Sequence, residues 1–168
     1  SSVENGAFSF TFIVPKDIDY DYGNGKISLY ALGERNGVSY DASGYNTQLI
    51  IGGTSNNYGD DYTGPDIELF MNDTNFIAGG LTNANPNLFA QLFDQNGINT
   101  VGNGIGHDMV AILDESSTSP IVLNDFFQYE ANSYQRGTIT YPFSNLEDGH
   151  HQLTVKVWDV YNNFSESH

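Results

Sequence analysis

Three features of the sequence predict an all-β fold whose larger part is a sandwich of two antiparallel sheets. Apolar residues alternate with polar ones at the strand period of two, not at the helical period of 3.6. Tyr (11), Phe (11) and Gly (18) are abundant among the 168 residues, which suits half-buried strands joined by tight turns. From Pro65 onward the apolar runs recur at short, regular spacing with turn residues between them, a pattern that favours a sandwich over a parallel sheet.

The clearest run is 152–163, Gln-Leu-Thr-Val-Lys-Val-Trp-Asp-Val-Tyr-Asn-Asn. Leu153, Val155 and Val157 point to one side of an extended chain, and Thr154, Lys156 and Trp158 to the other. Asp159, Asn162 and Asn163 compete for backbone hydrogen bonds and favour a turn, so the run reads as a long inner strand ending in a polar corner.

Taken in order, residues 7–14 (Ala-Phe-Ser-Phe-Thr-Phe-Ile-Val) predict a first strand with Phe8, Phe10 and Phe12 on its apolar face. Pro15 removes a backbone donor, and 19–25 is turn-rich. Strands follow at 26–32, through Ile27, Leu29 and Ala31, and at 47–51, ending on Gly52-Gly53. Residues 1–53 thus form a partial β module, the end of a preceding sandwich-like domain. The Ser/Asn/Gly/Asp tract at 54–63 has nothing to bury and reads as a linker. Residues 64–168 form an immunoglobulin-like β-sandwich, with strands at 67–71, 88–93, 109–113, 121–123 and 137–143 and in the 152–163 run. The abrupt start and end lead us to expect a piece of a longer protein.

Five Lys and Arg stand against 21 Asp and Glu, a formal charge of −16. Such a surface repels phosphate backbones and anionic headgroups, which argues against nucleic acid and membrane surfaces as partners. No apolar run approaches the roughly 20 residues that span a bilayer, so no membrane insertion is expected. With no Cys, the chain has no disulfide framework, thiolate metal site or Cys nucleophile. The glycine-rich run 102–108 lacks the helix start and lysine of a phosphate loop.

The four histidines, His107, His150, His151 and His168, share no catalytic or metal-ligating spacing. His107 beside Asp108 has the form of an oriented base, but a loop residue satisfying a local turn is the stronger reading. His150 and His151 face opposite ways at a strand entry, which speaks against zinc. No catalytic residue and no organic cofactor is expected.

Carboxylates and amides gather at the strand ends: Asp60, Asp61 and Asp66 at the module junction, Asn72 and Asp73 after the first sandwich strand, Asp94 after the second, and Asp159 at the corner. Calcium takes about six to eight such oxygens, often where extracellular modules meet, so these residues are candidate calcium ligands. Ordinary Asx-capped turns are the alternative. The aromatic tract holding Phe126, Phe127, Tyr129 and Tyr134 is a candidate contact surface for a sugar or protein, or else a loop tucked over the end of the core.

An ordered series of segments carries a resemblance: Phe10-Thr-Phe-Ile-Val-Pro-Lys-Asp-Ile18, Gly25-Lys-Ile-Ser-Leu-Tyr-Ala31, Ile51-Gly-Gly53, Gly64-Pro-Asp-Ile-Glu-Leu-Phe-Met-Asn-Asp73, Gly97-Ile-Asn-Thr, Gly104-Ile-Gly-His-Asp108, Val122-Leu-Asn-Asp125 and Val155-Lys-Val-Trp-Asp-Val-Tyr-Asn-Asn163. Together, over nearly the whole chain, they resemble the non-catalytic region downstream of the protease domain in the gingipain-like cysteine-peptidase sortases of type IX secretion. The resemblance implies a parent that removes the C-terminal sorting signal from secreted cargo and links the cargo to surface lipopolysaccharide. It also implies an extracellular, cell-surface location. The partners it implies are other domains of the parent chain, with secretion-system surface proteins or glycan beyond them.

The family's Cys nucleophile has no counterpart here, so no catalytic role carries over. After Asn163 the family pattern continues with a final strand where this chain reaches only residues 164–168, so the sandwich is expected to lack its last strand. The N-terminal module or a neighbouring molecule would then cover the open sheet edge. Three functions follow: a structural or docking module, a carbohydrate- or protein-binding module, and a hydrolase with paired carboxylates. No spacing singles out an acid and base pair for the last.

Overall fold

The computed structural model describes residues 1–54, 59–101, 106–115 and 119–168. The linker residues 55–58, most of the glycine-rich run (102–105) and 116–118 lie outside them. The chain divides into two units, one made of Val3–Phe8 and Asp19–Gly59, the other of Ser1–Ser2, Ser9–Ile18 and Asp60–His168.

The smaller unit is a long antiparallel ribbon of β1 (Gly23–Arg35) and β2 (Val38–Ile51). Asn36 and Gly37 turn it with positive φ at both positions, the geometry that matches the right-handed twist of a hairpin. The separate strands expected at 26–32 and 47–51 are the interior and the end of this hairpin. Its return half, 38–46, is polar and almost wholly exposed, so backbone pairing and not burial makes it a strand, and the apolar pattern was blind to it.

Among the described residues of the larger unit, eight strands form two four-stranded sheets. One has the order β3-β4-β8-β7, from β3 (Asp66–Met71), β4 (Asn87–Phe93), β7 (Phe127–Tyr129) and β8 (Arg136–Pro142). The other has the order β10-β9-β5-β6, from β5 (Val110–Leu113), β6 (Ile121–Val122), β9 (Leu153–Trp158) and β10 (Phe164–Ser167). All pairs are antiparallel, and this strand order is that of an immunoglobulin-like sandwich.

Alternation builds the core. Leu88, Ala90 and Leu92 of β4 and Leu153, Val155 and Val157 of β9 point inward, with Ala111 and Ile139 from the neighbouring strands. Small faces large across the ladders, Ala90 opposite Ile139 and Ala111 opposite Val155, which lets the layers interdigitate. Each large side chain buried this way contributes about 1.5–3 kcal/mol. Met109, Leu123, Ile98 and Phe143 close the ends of this cluster.

Several expectations need correction. Residues 8–14 form no strand, and their phase is opposite to that expected: Phe8, Phe10 and Phe12 are about half exposed, while Ile13, Pro15 and Asp17 turn inward. Residues 9–18 also group with the sandwich and not with the hairpin module in which 1–53 placed them. The last strand is present: Phe164–Ser167 pairs with β9 along its length, Phe164 opposite Trp158 and Ser167 opposite Val155. A further strand, β7, lies inside the aromatic connection, where a single 3₁₀ turn at Asn124–Phe126 leads into it.

Two carboxylate networks at one end of the sandwich, including a candidate metal centre

The loop after β4 and the corner after β9 carry the same local device. Asp94 Oδ1 accepts hydrogen bonds from the backbone N–H groups of Asn96 and Gly97, both at 2.8 Å. Asp159 Oδ1 accepts them from Tyr161 at 2.8 Å and Asn163 at 2.7 Å. These are Asx turns, in which a short carboxylate stands in for a backbone acceptor. The two turns are zipped together: Asn99 N–H donates to Trp158 O, Val160 N–H donates to Gly97 O, and Ile98 bridges Asp159.

Zipping the turns brings Asp94 and Asp159 together with Asp61, so that one carboxylate oxygen of each lies within 4.8 Å of the others. Asp94 is 5% exposed and Asp159 0%, and among the described residues no Lys, Arg or His pairs with any of the three. Burial pushes Asp94 up from the usual carboxylate range and the charges of Asp159 and Asp61 push it further, against the bonds from Gly97 and Asn96. Burial likewise raises Asp159, with Asp61 adding to it and Asn163 and Tyr161 opposing. Burial also works to raise Asp61, but bonds from Thr63 and Asn96 outweigh it and hold that group low.

Of the seven candidate ligands, only these three meet. Asp60 and Asp66 are exposed and stay outside the group. Asn72 and Asp73 lie at the far end of β3, whose near end pairs Asp66 with Phe93. There Asn72 Oδ1 accepts from Asn87 N–H and Asp73 Oδ1 from Asn75 N–H, as turn caps. The converging set suits a hard divalent cation, which prefers carboxylate oxygens. Among the described residues no donor reaches Asp94 Oδ2, whereas Asp159 Oδ2 takes a bond from Asn163 Nδ2 and Asp61 Oδ2 one from Asn96 Nδ2.

The same corner holds a second network that sequence reasoning missed. Asp17, with its side chain 8% exposed, accepts hydrogen bonds from His107 Nδ1 at 2.8 Å, Asn99 Nδ2 at 2.9 Å and Asn162 Nδ2 at 3.0 Å. Burial works to raise this carboxyl, but the three donors outweigh it and hold the group below the usual range. His107 is oriented not by its neighbour Asp108 but by a residue 90 positions away, and its ring packs against Trp158, centroids 4.3 Å apart and planes tilted by 49°. Among the described residues no hydroxyl is bonded to this pair. At the opposite end, His151 Nδ1 bonds Asp114 Oδ2 at 2.8 Å.

The aromatic contact candidates divide. Phe127 packs against the core and over Gly137, and Phe126 meets the edge of Tyr141. Tyr129, whose O–H donates to Ile98 O at 2.9 Å, and Tyr134 line an open cavity of about 520 Å³ with Ser9, Phe10, Thr11 and Glu130–Ser133.

No protein-family model and no curated protein matches the chain. Among solved structures, the crystal structure of dimeric latent PorU from Porphyromonas gingivalis matches with 35% identity and a TM-score of 0.62. Over 93% of its length the chain is similar to PorU. It spans only 14% of the PorU chain, so the likeness concerns a segment of that protein. With no Cys in the sequence, the part of PorU that it resembles is matched here without a cysteine nucleophile.

Proposed function

We propose that this chain is a non-catalytic structural or docking segment of a longer, secreted, cell-surface protein of the gingipain-like sortase kind. The observation that carries the reading is 35% identity to PorU sustained over 93% of the chain, in a sequence without cysteine. The segment spaces or seats the parent's peptidase domain, and its partners are the parent's other domains. The test is the full-length parent with residues 60–168 deleted. Turnover of a small peptide by the peptidase domain is expected to persist, while attachment of cargo at the cell surface is lost. Loss of peptide turnover in a variant whose circular dichroism shows a folded peptidase domain would place this segment in the catalytic machinery and sink the reading.

A second reading concerns the Asp61–Asp94–Asp159 group as a calcium site. It is favoured by a buried Asp94 side chain that, among the described residues, receives hydrogen bonds on Oδ1 alone, beside two further carboxylates. A cation bound only to the native state raises its melting temperature. Millimolar calcium is therefore expected to raise Tm by several degrees over chelator in the unaltered chain and by nothing in Asp94→Asn. Equal melting of the unaltered chain in calcium and chelator ends this reading.

A further inference from the structure

Residues 9–18 belong to the sandwich unit, while the chain on both sides of them, Val3–Phe8 and Asp19–Gly59, belongs to the hairpin unit. This strap enters no strand ladder, and none of its side chains is among the buried residues of the sandwich core. Its backbone meets the corner where Lys16 N–H donates to Val160 O at 3.0 Å. Its most buried polar anchor is Asp17, which gathers donors from two separate loops, Asn99 and His107 from the β4–β5 connection and Asn162 from the β9–β10 corner. Asn99 is itself 0% exposed, so a departing strap strands a buried amide.

We propose that Asp17 is the latch of this strap: its ionised carboxylate fastens residues 9–18 to the end of the sandwich, and loss of that charge lets the segment lift while both sheets stay folded. His107 donates to this carboxylate from Nδ1, as Asn99 and Asn162 do from their amides. Protonation of Asp17 instead places a proton among three donors. The other charged groups around it are Lys16, whose ammonium lies over the Tyr161 ring, Asp108 next to His107, Asp159 on the corner, and Lys156 over Trp158. None of them donates a hydrogen bond to the Asp17 carboxylate. Asp17 titrates below its ordinary value in the fold, so its contribution is present above the unfolded value, about 3.9, and is lost as pH falls through the folded one. The latch is thus shut at neutral pH and opens in acid.

The chain carries its own reporter, since its single Trp, Trp158, packs against the His107 ring. In the 168-residue chain, Asp17→Ala is expected to shift Trp158 fluorescence to the red. Tryptic cleavage after Lys16, read by mass spectrometry and divided by the rate of the matching free peptide with Asp or Ala at position 17, should accelerate at least about tenfold, the effect of one lost charge-assisted hydrogen bond. The far-UV circular dichroism of the sheets stays unchanged. In the unaltered chain the same emission shift appears on acidification, before the sheet signal is lost. Unchanged cleavage and emission in Asp17→Ala overturn the proposal, as does an emission shift that comes only with loss of the sheets. Should Asp17→Ala fail to fold, His107→Ala and Asn162→Ala each remove one donor and are expected to give intermediate cleavage rates. Rates equal to the unaltered chain in both then overturn it.

Discussion

Gly137 is one of the tightest positions of the larger unit. It sits buried in β8, opposite Leu92 on one side and Tyr129 on the other, and a Cβ there would overlap the Phe127 ring and the Gln128 carbonyl. The absent methyl is what lets β7 and its aromatic ring close over the sheet. Because a backbone carbonyl cannot step aside as a side-chain tip can, Gly137→Ala is expected to cost about 1–3 kcal/mol in denaturant unfolding. A cost under about 0.5 kcal/mol would mean that Phe127 has room to move. At this scale the sequence was partly legible. The Asx turns at Asp94 and Asp159 follow from residue type, because a short carboxylate two positions before a free N–H caps it wherever the fold places it. The pairing of Asp17 with His107 was not legible, since a partner 90 positions away leaves no local trace.

Among the elements, β9 was the most readable, because its inward and outward residues alternate without a break and burial follows that alternation throughout. β7 was the least readable. Its three residues, Phe-Gln-Tyr, lie in a tract rich in aromatics, where a contact surface and a lid over the core look alike from composition. The geometry gives Tyr129 a structural duty: its hydroxyl donates to the carbonyl of Ile98, a residue 2% exposed, and its ring meets the edge of Phe127. Tyr129→Phe keeps the ring and removes only that bond, so a loss of about 1 kcal/mol is expected by denaturant titration. If stability does not change, water replaces the hydroxyl and the ring is free to serve as a contact surface, the role for which the Tyr129 and Tyr134 pair was considered.

At the scale of the molecule, the all-β class, the sandwich and the inner faces of β4 and β9 were determined by the sequence alone. Hydrophobic alternation is a local property: a strand that must bury one face records that requirement in every second residue. The return half of the hairpin escaped because backbone pairing needs no apolar side chain. The phase of residues 8–14 escaped because nothing local says which face will meet a surface, and the final strand escaped because a four-residue edge has too short a pattern to register. Only the tertiary structure decided that Asp61, Asp94 and Asp159 converge while Asp60, Asp66, Asn72 and Asp73 do not, and that Asp17 closes a strap over the same corner. Those placements depend on which loops the two sheets bring to one end of the sandwich, and that is set by strand order and register, which no single stretch of the chain encodes.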